Sequence, residues 1–232
     1  MKRRDFTKSV AGAMLGLMVP GKRARAATAA PGLSDPALQP KFVNLVPDAL
    51  APTFKYDLKG GRNRVKVAAG PSIQLTGLVD AGGNYLPTAV FGYGDPASGF
   101  TWPGRTFEVQ SGVPIQVKWE NKLLDPLTGM PLSHLFPVDT SLHWAYSLMG
   151  YAGFSIAANG VPIVSHLHGG HSGTDFDGNP EYFFSPGWGV RGPRWVTKDY
   201  EYLNDQPAGN LWYHDHAPVS YTHLTLPTKR IV

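Results

Sequence analysis

The sequence predicts an all-β fold, a sandwich or a barrel, and three observations carry that prediction. Short runs of alternating apolar and polar residues recur from residue 64 onward. Twenty-seven glycines and twenty-one prolines punctuate those runs, as turn residues do in sheet proteins. Beyond the N-terminal apolar stretch, no segment repeats apolar residues at the 3.6-residue spacing of an amphipathic helix.

The elements follow in order. Residues 30–54 are rich in Pro and Ala and read as an extended arm. Residues 64–68 alternate around Val65 and Val67, and Ile73, Gln74, Leu75 and Thr76 repeat the pattern. Residues 106–110 place Phe107 and Val109 on one face, Ser111 and Gly112 signal a turn, and 115–120 alternate again. Later strands are predicted at 163–168, 195–203 and 211–216. No internal repeat is present. Residues 169–180 form a glycine-rich, acidic loop in which Asp175 and Asp177 read first as turn formers.

The two ends differ from this pattern. Lys2, Arg3 and Arg4 precede a short apolar stretch from Val10 to Val19, and then small-x-small cleavage patterns at residues 24–26 and 27–29. Residues 1–29 thus read as a twin-arginine signal, its apolar stretch too short for a bilayer core that needs about twenty residues. The expected working domain, residues 30–217, is periplasmic or secreted, with no membrane anchor once the signal is removed. Residues 1–29 carry seven basic residues and one acid, a net six charges, so the formal +4 of the whole chain becomes −2. No basic patch then argues for a nucleic-acid partner. Residues 218–232 read as a non-native tail, so that His223 carries no functional weight. There is no cysteine, which excludes a disulfide framework and a thiolate metal ligand.

Two His-x-His pairs dominate the chain: His166 with His168, and His214 with His216. On a strand, residues i and i+2 leave the same face about 6.6 Å apart at their roots. Laid on neighbouring strands, the pairs make a four-imidazole platform, better suited to adjacent metal ions than to one tetrahedral ion. Neutral imidazole suits copper, zinc, iron or nickel. Structural zinc is the main rival, but it usually recruits cysteine.

These residues resemble the multicopper oxidases, in particular the first cupredoxin-like domain of bacterial laccases of the spore-coat and bilirubin-oxidase type. The resemblance rests on the arm at residues 40–52, on 102–109 with 117–123, on the first histidine motif through 177–181, and on 211–217. Arg105 stands where that family usually has proline. The resemblance implies a cupredoxin-like Greek-key β-sandwich or barrel. It implies that His166 binds a type 2 copper and that His168, His214 and His216 bind the type 3 pair. It implies that Asp177 assists proton delivery to oxygen, while His171 has no counterpart. Dioxygen and a small electron donor, phenolic or pigment-like, are the implied substrates.

In that family electrons enter through a type 1 copper bound by cysteine in the last domain, and further cluster histidines come from that domain. This chain has no cysteine, so the expectation is an N-terminal part of a longer oxidase, inactive alone, whose C-terminal cupredoxin domains are missing. The alternative is a non-enzymatic exported copper-binding or copper-tolerance module, or a cell-envelope scaffold of the same fold. Scaffolds of that kind lose the copper histidines, which are retained here. Only Met130 and Met149 remain after the signal, which favours organic donors over cuprous ions. The 125–159 insertion reads as a loop tucked onto the sandwich or as a surface loop near a partner domain.

Overall fold

The computed structural model describes residues 35–58, 63–136, 151, 153–217 and 228–229. The expected signal at 1–29 lies outside the described residues. So do 137–150 and 152 of the insertion, and all of the expected tail except 228–229. The chain divides into two units, Met1–Ala37 and Leu38–Val232. In the first, the described residues 35–37 turn on the Asp35 carboxylate, which accepts from the Ala37 N–H. Every element named below belongs to the second.

Among the described residues eight strands follow the arm: β1 (Arg64–Val79), β2 (Tyr85–Asp95), β3 (Gly99–Thr101), β4 (Ile115–Asn121), β5 (Ser165–His168), β6 (Asp199–Tyr202), β7 (Leu211–Asp215) and β8 (Thr228–Lys229). A four-residue helix, α1 (Ile156–Asn159), is too short to have shown a helical period in the sequence. The strands form two sheets, one ordered β3-β2-β1-β4-β6 and the other β5-β7-β8. The architecture is all-β, as expected. The order β3-β2-β1-β4 is that of a Greek key, although β4 runs parallel to β1, with Val67 opposite Trp119.

Several strand expectations need correction. The runs at 64–68 and 73–76 are one strand, β1, which passes through Gly70 and Pro71 without a break. Proline is tolerated there because β4 pairs β1 only as far as Ala69, so the Pro71 position faces no second ladder. Strand β2 went unread because Pro87, Gly92 and Gly94 look like punctuation. In fact a Cβ at Gly92 would lie 2.5 Å from the Thr101 carbonyl oxygen, and one at Gly94 would lie 2.0 Å from that of Gly99. These glycines admit the β3 backbone rather than making a turn.

Residues 106–110 are not a strand. Their burial alternates as predicted, with Phe107 and Val109 inside, but only Thr106 pairs, with Lys55 at the end of the arm. Alternation reports which side faces the core and not whether a ladder partner exists. The strand expected at 195–203 shrinks to β6, and in its first part the Trp195 ring lies 5.0 Å from the Arg191 guanidinium.

The core lies between the inner faces of the two sheets. Its centre is aromatic: Tyr213 of β7 lies 5.2 Å from Tyr93, 5.2 Å from Phe107 and 5.7 Å from Trp119, ring centre to ring centre. The Tyr213 hydroxyl donates to the Arg105 carbonyl at 2.7 Å. Ring pairs at such distances add about 0.5–1.5 kcal/mol each beyond their area burial. Anchoring β7 this firmly from behind fixes what its other face presents.

Candidate metal centre

Strands β5 and β7 run antiparallel, with His166 opposite His214, His168 opposite Trp212, and Leu167 opposite Tyr213. Side chains alternate along each strand. Leu167 and Tyr213 therefore enter the core, and His166, His168, Trp212 and His214 share the other face. His216 extends the row, because its N–H donates to the Val164 carbonyl at 2.7 Å and continues the ladder.

The structure brings all four predicted histidines together. The His166 ring centre lies 5.6 Å from His168, 5.2 Å from His214 and 5.0 Å from His216. His214 lies 5.8 Å from His168 and 5.6 Å from His216. The register makes the platform a stagger and not a square: His166 and His214 form the centre, with His168 and His216 at opposite ends. His166, His168 and His214 each offer a ligand nitrogen within 4.8 Å of the others. Two nitrogens on one ion, each bonded at about 2.0–2.1 Å, stand at most about 4.2 Å apart. The set therefore suits neighbouring ions, or one ion after a small ring rotation.

Main-chain carbonyls set the tautomers. His166 Nδ1 donates to the Asp177 carbonyl, His214 Nδ1 to the Asp215 carbonyl at 2.8 Å, and His216 Nδ1 to the Gly178 carbonyl at 3.0 Å. A carbonyl only accepts, so each Nδ1 carries the proton and each Nε2 keeps its lone pair for a metal. Backbone passes close to the histidines at Gly178, at φ +79°, where a Cβ would lie 2.7 Å from His166 Cβ. A Cβ at Gly169 or Gly170 would meet Leu211 or Leu167.

Burial pushes the His214 imidazole down to about 4, the neighbouring imidazoles add to this, and the Asp215 carbonyl opposes it. Burial, followed by His166, also lowers His216. Both rings are neutral at physiological pH, the form in which imidazole binds metal.

The remaining candidates fall around this face. Asp177 lies beside His166, its carboxylate half exposed and 3.5 Å from the same Nδ1 that the Asp177 carbonyl already accepts from. His171 is exposed and lies 3.5 Å from the Asp205 carboxylate, away from the cluster. Asp175 accepts from the Tyr182 hydroxyl at 3.5 Å.

Two functional positions were not singled out in the sequence. Asp215, between the second pair of histidines, is fully buried. Its carboxylate accepts from the Val164 N–H at 2.7 Å and the Ala217 N–H at 3.3 Å, tying β5 to β7 from the core side. Trp212 stacks on both His168 and His214. The i+2 spacing of Trp212 to His214 was a usable signal for the second, and nothing local marked the first.

The donor set fits copper: clustered imidazoles that present Nε2, with no thiolate, on a face backed by an apolar core. No family model matches the chain. It is 40% identical over 131 residues to multicopper oxidase LPR1 homolog 5 of Oryza sativa subsp. japonica, which spans 56% of this chain and 18% of that protein. It is 36% identical over 131 residues to a laccase of Bacillus subtilis, covering 56% of this chain and 22% of the laccase. This chain thus spans about a fifth of the length of these relatives. Among solved structures, a laccase of Pediococcus acidilactici aligns with a TM-score of 0.41 at 17% identity, covering 73% of this chain and 26% of that one.

Proposed function

We propose that this chain, over half of which is similar in sequence to multicopper oxidases, supplies copper-binding histidines to an oxidase. That enzyme would take electrons singly from a small donor, phenolic or pigment-like, and pass four of them to dioxygen. The supporting observation is the convergence of four imidazoles on one sheet face, three of them with Nδ1 committed to a carbonyl. His166 is assigned to the type 2 copper, and His168, His214 and His216 to the type 3 pair. When bound, copper supplies one-electron chemistry and the site of dioxygen reduction.

The chain's own residues do the rest. Carbonyls of Asp177, Asp215 and Gly178 hold three rings with Nε2 outward, and the aromatic core behind β7 keeps water from that side. The Asp177 carboxylate, half exposed beside His166, is placed to carry protons in from solvent. With no cysteine in the chain, the electron entry site and the remaining cluster ligands are assigned to C-terminal cupredoxin-like domains of a longer protein.

Titration of the full chain with cupric ion, followed calorimetrically, tests the site. The expected result is tight uptake that a His166→Ala, His214→Ala double variant abolishes and that His171→Ala leaves unchanged. Absence of uptake by the unaltered chain would overturn the assignment and leave a scaffold without copper. We further propose export through the twin-arginine route, supported by Arg3 and Arg4 ahead of the short apolar stretch. Arg3→Lys with Arg4→Lys should trap the precursor in the cytoplasm, and normal export of that variant would remove this part of the reading.

A further inference from the structure

We propose that Trp212 is a positioning residue of the histidine face, its indole the platform that sets the ring plane of His168; this deepens the copper-site reading and rests on it. The register leaves a place opposite His168, and Trp212 fills it. Its ring lies 4.9 Å from that of His168 at 22° between planes, and 4.2 Å from that of His214 at 30°. Both contacts are stacked, whereas His168 meets His166 edge-on, 5.6 Å away at 71°.

The three other histidines do not depend on such a contact in the same way. His166, His214 and His216 are each tied through Nδ1 to a main-chain carbonyl. Among the described residues, His168 has no hydrogen bond to its ring. It is also the exposed member of the set, at the end of β5 and just before Gly169. Its χ2 torsion is broad and soft when nothing holds it. A flat indole on one side restricts that torsion, because aromatic rings favour offset stacking. Trp212 is itself held by the strand, since Leu211 and Tyr213 on either side are buried. The orientation of the least anchored imidazole is thereby referred to the most firmly packed strand of this sheet.

The test compares Trp212→Phe, which keeps an aromatic face, with Trp212→Leu, which keeps much of the volume without one. NMR of the metal-free full chain with labelled histidine reads the ring protons of His168, and calorimetry reads cupric-ion affinity. The expectation is that stacking displaces the His168 ring resonances upfield, that Phe retains the displacement, and that Leu abolishes it. Copper affinity should fall about tenfold in Trp212→Leu and less than about threefold in Trp212→Phe, in the range seen when groups behind metal ligands are altered. Equal affinity and unchanged His168 resonances in Trp212→Leu would overturn the proposal, as would equal losses in both variants. If the unaltered chain binds no copper, the metal reading fails, yet the resonances still decide whether the indole sets the ring.

Discussion

Burial and three neighbouring imidazoles hold His214 at a pKa of about 4, well under the ordinary histidine value of about 6.5. The sign of the consequence is definite. Between those two values the unfolded chain binds the proton and the folded one does not, so the folded state loses stability as pH falls through that window. The loss is at most about 3–4 kcal/mol from this residue, at about 1.4 kcal/mol per unit, and His216 shifts in the same direction. Thermal midpoints of the metal-free chain should therefore drop from about pH 6.5 toward pH 4, and His214→Gln should flatten part of that slope. A variant as acid-sensitive as the unaltered chain would show that another group is responsible. Gly178 works at the same scale by leaving room: with no side chain there, the carbonyl that anchors His216 can pass beside His166.

The β5–β7 pair is the unit that turns two sequence motifs into one site. Its register is locked from the core side by the Asp215 carboxylate, which reaches across to the Val164 N–H at 2.7 Å. A slip of one residue would send every histidine of β5 into the core, where Leu167 now packs. Asp215→Ala removes the acceptor and leaves two buried N–H groups unsatisfied, at a cost of about 3 kcal/mol. Asp215→Asn retains one acceptor oxygen and should cost less. Urea unfolding of both variants checks this order, and equal stability of Asp215→Ala and the unaltered chain would remove the latch. The same substitution should also weaken copper uptake, because the carboxylate holds in place the segment whose main-chain carbonyl accepts from His214 Nδ1.

For the whole molecule, composition decides more than geometry. On the proposed reading four histidines on one face bind metal, but a chain without cysteine has no thiolate to receive electrons from a donor. Full-length chain loaded with copper should therefore leave oxygen consumption at background when a phenolic donor is added. It should also lack the intense visible absorption of a copper–thiolate bond. Brisk oxygen uptake under those conditions would refute the assignment of electron entry to other domains. The arm leaves Phe42, Leu45 and Val46 almost wholly exposed, which its apolar composition alone did not announce.

The sequence by itself determined the all-β class and the common face of each histidine pair, because strand alternation and i+2 spacing are local properties of the backbone. It also determined the absence of a thiolate ligand, which follows from counting. It could not determine what depends on who sits across from whom. The stagger of the imidazoles, the carbonyls behind three of them, the Asp215 latch and the Trp212 platform all arise from pairing residues about fifty positions apart. The same limit hid β2, whose glycines look like turns until the β3 backbone lies against them. It also made 106–110 look like a strand, since burial alternates there without a ladder. Chain-local patterning is readable from spacing, whereas register and close backbone approach exist only once distant segments have met.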